Sequence, residues 1–259
     1  MARKTIGLLL TLSLVFAVGC TGQVAGCSSQ NVSKDSDSST MTPQKGSNAN
    51  SKRESTDADG RRTIDGVRVG YGPAPGLWDP PYDFSNPDLV VADADHVVVG
   101  RVEKCTGTRH PDWMPDPQTD YDVTILEVIK GNLEAGQKIP ITKQGGVSKD
   151  KSYFSLFDEN DFMPEVGEIY VFSITVEVVD KALTVGGSHS TIPLESNIAA
   201  ELKRLEKSKL SNKQELIRKC LEKSEVFARY VAAAENKDAA AELPPSRRDR
   251  ERFKSPYEK

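Results

Sequence analysis

The feature that most constrains the fold is a run of apolar residues at strict period two after Gly167. Its apolar members are Tyr170, Phe172, Ile174, Val176 and Val178, and the residues Ser173, Thr175 and Glu177 lie between them. Successive side chains of a strand point to opposite faces, so this pattern predicts a half-buried antiparallel strand. The pair Asp180-Lys181 predicts a turn into a partner strand over 183–186.

Three earlier segments also have the composition of strands. Residues 96–105 are rich in valine, and Gly100 predicts a bulge or a close backbone approach there. Residues 121–130 alternate in polarity, and residues 138–142 carry isoleucines on one face. Because no amphipathic helix separates these segments, hairpins must connect them. The pattern predicts a mainly β fold, in which an antiparallel sheet closes into a small barrel.

The apolar period becomes helical from Ser196 onward. Residues 196–236 predict two helices, and an apolar stripe runs from Leu216 to Val231 along the second. Residues 237–259 are first rich in alanine and then in proline and mixed charges. That composition predicts a disordered, charged tail.

The N-terminus has the layout of a secretory signal. Arg3 and Lys4 precede an uncharged run over 5–19, which is shorter than the roughly 20 apolar residues that a membrane-spanning helix needs. The sequence AVGC, ending at Cys20, resembles the lipobox of bacterial lipoprotein signals, in which the cysteine is diacylated and becomes the first residue of the mature chain. The sequence VAGC, ending at Cys27, resembles a second lipobox.

Cys20 is the favoured lipidation site, and Cys27 is the alternative. Cys20 directly follows the apolar run, whereas acylation at Cys27 would bring the polar residues 21–23 into the membrane-embedded processing site. In favour of Cys27, a more typical valine stands three positions before it, and Cys105 and Cys220 would then remain as an even pair. Two acyl chains anchor a protein stably. We therefore expect a protein held on the extracytoplasmic face of the cell membrane.

The segment that follows is predicted to be a disordered tether over 20–62, after a signal peptide over 1–19. Between Ser28 and Thr56 the apolar residues are only Val32, Met41 and Ala49. Such a composition buries too little surface to offset the entropy of ordering. Its serine, aspartate, asparagine and lysine content favours a Gram-positive cell surface.

The strand region carries a family resemblance in four stretches, DHVVVGRVEKC, YDVTILEVIKGN, QKIPITKQGG and VGEIYVFSITVEVVDKALTVGG. In this order they resemble the strands of a group of uncharacterised bacterial lipoproteins. More distantly they are similar to the OB-type barrel of netrin C-terminal domains and tissue inhibitors of metalloproteinases. The resemblance implies an OB-like β domain over 63–195 with a helical appendage over 196–236. It does not imply protease inhibition. Those inhibitors use a disulfide-tethered N-terminal cysteine at the barrel edge, whereas the N-terminal cysteines of this chain are remote from the strands, and one of them is expected to be acylated.

Composition and motifs argue against several classes of function. A formal net charge of -4 leaves no overall basic footprint for nucleic acid. The three histidines, His96, His110 and His189, limit the catalytic options, and the sequence contains no C-x-x-C, H-E-x-x-H, G-x-S-x-G or phosphate-binding glycine motif. Acidic stretches near His110 and Asp158 fit no calcium-loop spacing. We predict no catalytic residue, no metal and no cofactor.

Cys105 and Cys220 leave two alternatives open. Outside the cytosol a disulfide between them is permitted, and it would fasten the helices to the sheet, stabilising the fold by about 2 to 5 kcal/mol. The other alternative is a pair of separate thiols, since Gram-positive surface proteins often lack disulfides.

The resulting expectation is a lipid-anchored binding or interaction module whose partner is a small ligand or another envelope protein. OB-type barrels bind along one face and its loops, here the loops over 106–120 and 147–166. One alternative is a cell-envelope hydrolase that uses acidic residues. Another is a structural component of a surface complex, which would use the apolar stripe between Leu216 and Val231 as a docking face.

Overall fold

The computed structural model describes residues 54–71, 83, 86–112, 114, 116–177, 182–249, 252 and 254–258. Its strands are β1 (Glu54–Thr56), β2 (Arg62–Ile64), β3 (Val67–Tyr71), β4 (His96–Arg109), β5 (Gln118–Lys130), β6 (Lys138–Gln144), β7 (Gly146–Val147), β8 (Phe154–Leu156), β9 (Ile169–Val176), β10 (Leu183–Val185) and β11 (Thr191–Pro193). Its helices are α1 (Pro87–Asp93), α2 (Ser196–Lys207), α3 (Lys213–Leu221), α4 (Glu225–Glu235), α5 (Lys237–Glu242) and α6 (Pro245–Arg248). None of these helices is long and apolar enough to cross a membrane.

The predictions for the N-terminus lie outside the described residues. This holds for the signal peptide, for the lipidation of Cys20 or Cys27, and for the tether as far as residue 53. The described end of the predicted tether, 54–62, is folded, which corrects the predicted boundary. Arg62 pairs with Glu54 at 2.6 Å, and the Ser55 and Thr63 hydroxyls lie 2.7 Å apart, so cross-strand polar pairs order a segment that has few apolar residues.

The larger of the two sheets in the described residues has six strands in the order β10-β6-β5-β4-β9-β11. All of these neighbours are antiparallel except β6 and β10, which run parallel. β10 also pairs with β9, with Leu183 opposite Val176. Each strand of the set β4, β5, β6, β10 and β9 therefore has a neighbour on both sides. The predicted strands and most of their antiparallel pairings are confirmed.

The smaller sheet has the order β1-β2-β3-β8-β7, and β3 and β8 run parallel in it. An apolar cluster joins the two sheets. Ile64 and Leu156 from the smaller sheet pack in this cluster with Val98, Ile125 and Phe172 from the larger sheet. The predicted close approach at Gly100 is confirmed, because a Cβ atom there would lie 2.5 Å from Val123 Cγ1, and the β4–β5 register shifts at this point.

The opposite face of the larger sheet is covered by helices. Val97, Val99 and Val171 point away from the first cluster and pack with Leu202 and Leu221 of α2 and α3. The prediction of a half-buried strand over 170–178 is therefore wrong in one respect: β9 is covered on both faces. Its polar residue Ser173 is only 3% exposed. The fold is a mixture of sheets and helices rather than mainly β.

The region 196–236 contains three helices instead of the two predicted. α3 ends at Leu221, and Ser224 caps α4, since its Oγ accepts a hydrogen bond from Phe227 N at 3.0 Å. Glu195 accepts hydrogen bonds from Ser224 Oγ at 2.6 Å and Val226 N at 3.0 Å. Burial raises the pKa of Glu195, but these hydrogen bonds outweigh it and the net pKa is lowered. The carboxylate joins the start of α2 to the start of α4.

The C-terminal region is folded where the structure describes it, which corrects the prediction of a disordered tail over 237–259. Ala239 and Leu243 are buried against Leu89 of α1. The described residues of 245–258, here called the C-terminal strap, are bound through their charges. Arg247 pairs with Asp93, and Arg252 donates to Asp95 Oδ1 at 3.1 Å. The charged residues that predicted a disordered tail therefore form specific ion pairs with the rest of the fold.

The strap also covers His96, the first residue of β4. Its side chain is 2% exposed, and Nε2 lies 3.2 Å from Glu258 Oε1. Burial lowers the pKa of His96 below the usual 6.5, although the nearby Glu258 and Asp95 carboxylates oppose this effect, while Lys130 reinforces it. The folded chain therefore binds a proton at His96 less readily than the unfolded chain.

We expect this histidine to make stability fall with acidification. The stabilising contribution is complete above the unfolded pKa near 6.5 and is lost as the pH falls below it. Urea unfolding of the wild type and of His96→Gln between about pH 5.5 and 7.5 measures the effect. The wild type should lose more stability than the variant over this interval. Equal slopes for the two proteins would contradict the assignment.

Candidate functional site

The two segments predicted to bind lie together at one end of the larger sheet. β4 continues to Arg109 and β5 begins at Gln118, so the connecting turn is shorter than the predicted loop over 106–120. His110 Nε2 lies 2.9 Å from Val147 O, and Ser155 Oγ donates to Asp116 Oδ1 at 2.9 Å. We call the described residues of 110–117 and 147–163 the loop surface.

Two glycines allow the chain to enter this surface. Gly145 and Gly146 have φ values of 118° and 132°, in the region that favours glycine. A Cβ atom on Gly146 would lie 2.6 Å from Thr119 Oγ1. Gly145 N donates to Pro117 O at 2.8 Å, so the end of β6 is bonded directly to the turn that precedes β5. The two halves of the loop surface are therefore held in a fixed relation.

A tight polar turn presents an exposed aromatic ring on the surface. Asp150 Oδ1 accepts hydrogen bonds from Ser148 Oγ, Ser152 N and Ser152 Oγ at 2.7 to 3.1 Å. Hydrogen bonds from Ser152 are the main reason that the pKa of Asp150 is lowered to about 2. The Tyr153 side chain that follows is 37% exposed. An ordered turn with an accessible tyrosine is suited to stacking or hydrogen bonding with a partner.

A fully buried ion pair lies beneath the loop surface. Lys143 Nζ at the end of β6 is 2.7 Å from Asp161 Oδ1, and both side chains have 0% exposure. The second oxygen, Asp161 Oδ2, accepts a hydrogen bond from Phe157 N at 3.0 Å. Burying two charges is costly unless their geometry and remaining hydrogen bonds are good. This pair fixes the segment 157–161 against β6.

A polar row, in which Arg109 and Asp120 are half-exposed and Thr142 is buried, flanks the same end of the sheet. Arg109 Nε lies 3.1 Å from Asp120 Oδ2, and Thr142 Oγ1 donates to Asp120 Oδ1 at 2.7 Å. Arg109 Nη2 also donates to Thr142 Oγ1 at 3.2 Å. These contacts connect β4, β5 and β6 beside the loop surface, so the site rests on a braced part of the sheet.

The three histidines lie in separate environments. His110 is exposed on the loop surface, whereas His96 is buried under the C-terminal strap. His189 belongs to a short 3₁₀ turn, and burial lowers its pKa, with Arg229 reinforcing the shift. Ser190 Oγ donates to Gly187 O at 2.8 Å rather than to an imidazole. Among the described residues, no group of three or more histidine, cysteine, aspartate or glutamate side chains could hold a metal ion.

The two predicted disulfide partners lie on opposite faces of the larger sheet. Cys105 of β4 packs against the cluster between the sheets, and Cys220 of α3 packs in the cluster under the helices. The structure contains no bond between them. The larger sheet separates the two clusters in which they pack, and this arrangement does not support the disulfide. Burial raises the pKa of Cys220.

Away from the loop surface, the neighbouring carboxylates Glu103 and Glu206 form ion pairs with Arg101. Arg101 Nη2 is 2.7 Å from Glu103 Oε1, and its Nε is 3.3 Å from Glu206 Oε2. Burial raises the pKa of Glu206. Arg101 opposes this effect and Glu103 reinforces it.

A shallow groove of about 370 Å³ lies between α3 and the β5–β6 turn, away from the loop surface. Its Glu127 accepts from Gln214 Nε2 at 3.2 Å and lies 3.6 Å from Arg218 Nη1.

Lys143 and Asp161 are the site residues that reasoning from the sequence missed. A signal for the lysine exists, because Lys143 continues the period-two series of Ile139 and Ile141, which faces the core. A lysine at a core-facing strand position requires a buried partner. Nothing in the sequence distinguishes Asp161 from the nearby Asp158 and Glu159.

No family model matches the chain, and no curated protein matches it.

Proposed function

We propose that this chain is a lipid-anchored extracytoplasmic binding module that meets its partner at the loop surface. The observation that carries the proposal is the cross-bonding of the two loops, in which His110 meets Val147 and Asp116 meets Ser155. Two loops that are distant in sequence form one ordered surface with an accessible tyrosine. The N-terminal sequence before the described residues supports the anchor through its lipobox-like cysteines, Cys20 and Cys27.

We also propose that the larger sheet is an OB-like barrel related to the netrin-type module and to the uncharacterised lipoproteins that the strand sequences resemble. The pairing of β10 with both β6 and β9 supports this proposal, because the neighbours then return in the order β4-β5-β6-β10-β9-β4. OB-type folds bind at the loops that flank one face. The partner is either a small ligand or another envelope protein.

The two alternative functions have less support. A hydrolase with paired carboxylates needs side chains free to exchange protons with a substrate, and Glu103 and Glu206 share the guanidinium of Arg101. A structural role through the helical stripe needs an exposed apolar face. Phe227 and Leu221 of that stripe are 8% and 0% exposed, because the stripe packs on the sheet.

Metabolic labelling with palmitate in a bacterial host tests the anchor. We expect label in the wild type and in Cys27→Ser, and none in Cys20→Ser, because Cys20 is the proposed attachment point of the acyl chains. Label lost only in Cys27→Ser would move the anchor to the alternative cysteine. Equal labelling of both single variants would show that neither cysteine alone is the acceptor.

The same cells test the binding surface. A photo-crosslinking residue placed at Tyr153, which is 37% exposed, should give a defined adduct in intact envelopes. The matched control is the same residue at Leu210, which is 53% exposed in the connection between α2 and α3. Adducts that are equal at the two positions, or present only at Leu210, would contradict a partner at the loop surface.

A further inference from the structure

The buried pair beneath the loop surface has the composition and geometry of a reactive pair. Lys143 Nζ lies 2.7 Å from Asp161 Oδ1, and neither side chain is exposed to water. Since a carboxyl C–O bond is about 1.2 Å long, the nitrogen is within about 4 Å of the carboxyl carbon. Reacting atoms held close together need no further ordering before they react.

The reaction requires the uncharged form of both side chains. An ammonium and a carboxylate lose their hydration when water is excluded, and transfer of one proton from Nζ to Oδ1 removes both charges. The strand neighbours of Lys143 are Thr119 and Val185, which bring no charge to the pair. The product of the transfer is a neutral amine facing a neutral carboxylic acid.

The second carboxyl oxygen is placed to accept developing negative charge. Asp161 Oδ2 receives a hydrogen bond from Phe157 N at 3.0 Å, whereas the lysine contacts Oδ1. A fixed backbone N–H at this position stabilises the oxyanion that forms when a nucleophile adds to the carbon. The oxygen that faces the lysine, Oδ1, is the leaving oxygen.

We propose that Lys143 and Asp161 become joined by an intramolecular amide bond. The neutral Nζ adds to Asp161 Cγ, and a new N–C bond forms. The nitrogen then passes a second proton to the Oδ1 hydroxyl, the Cγ–Oδ1 bond breaks, and one water molecule leaves. The amide nitrogen keeps the third proton. No oxidant, reductant or cofactor is consumed. The bond would tie β6 covalently to the segment that carries the loop surface, and this inference does not rest on the proposed function.

Mass spectrometry of the denatured full chain tests the proposal. Trypsin cannot cleave after an acylated lysine, so the linked product joins residues 139–149 to residues 152–181. Its mass should be the sum of the two peptides less one water, and most molecules should yield it. Recovery of the separate peptides 139–143 and 144–149, with no linked product, would overturn the proposal.

Two controls separate this bond from ordinary ion pairing. Lys143→Arg retains a cation but has no amine nucleophile, so it should give no linked product. The pair of Lys219 and Glu215, with N and O at 2.5 Å but with side chains 61% and 60% exposed, should remain unlinked in the wild type. Linkage at this exposed pair as well would mean that burial is not the cause, and would overturn the argument.

Discussion

Asp161→Ala is expected to lower the free energy of unfolding by about 3 to 5 kcal/mol, the usual cost of breaking a buried ion pair from one side. Lys143 is 0% exposed and would be left without the carboxylate that lies 2.7 Å from its Nζ. The loss is expected whether the pair is ionic or covalently joined, because the amine stays buried in both cases. Urea unfolding at neutral pH, followed by far-ultraviolet circular dichroism, measures the change.

The physical cause can be separated from simple loss of contacts. In the double variant Asp161→Ala with Lys143→Met, the uncompensated amine is gone, so the double variant should be more stable than Asp161→Ala alone. Glu215→Ala, which breaks the exposed pair with Lys219, should leave the unfolding midpoint unchanged. A double variant as unstable as the single one would show that packing around Asp161, rather than buried charge, sets the cost.

The sequence predicts those parts of the fold that rest on local periodicity. The alternation around Phe172 and Ile174 locates β9, and the valines after His96 locate β4. Periodicity does not reveal what covers the second face of a strand. Val171 is buried in a cluster with residues of α2 to α4, and this depends on contacts between residues far apart in sequence.

The sequence also does not predict the polar pairs that order the candidate site and the chain ends. From the sequence alone, a charged residue is expected to be exposed to solvent unless its partner is known. The partners here lie far apart in the sequence. Asp161 lies 18 residues from Lys143, and Arg247 lies 154 residues from Asp93. The lysine could have been identified from its core-facing register, but Arg247 and Arg252 of the C-terminal strap have no comparable signal. The strand pattern, by contrast, locates both loops, although β4 continues to Arg109 and shortens the first of them.

Arg247→Ala is expected to lower the free energy of unfolding by about 2 to 3 kcal/mol, since it removes a charge-assisted, two-point contact from a buried carboxylate. Asp93 is 2% exposed at the end of α1, and the Arg247 side chain, at 30% exposure, supplies its guanidinium partner. The strap should also loosen as a unit. Hydrogen exchange of the backbone amides at 255, 257 and 258 should therefore become faster in the variant.

The neighbouring arginine provides a matched control for this prediction. Arg248 is 46% exposed, and its Nε lies 3.3 Å from Asp249, which is 68% exposed, so Arg248→Ala should change stability by less than about 0.5 kcal/mol. It should also leave exchange in the strap unchanged. If the two substitutions had equal effects, the strap would be held by its apolar contacts, such as that of Tyr257 with the cluster between the sheets, and not by the pair of Arg247 and Asp93. The difference between two adjacent arginines thus measures what the buried carboxylate contributes to ordering the C-terminus.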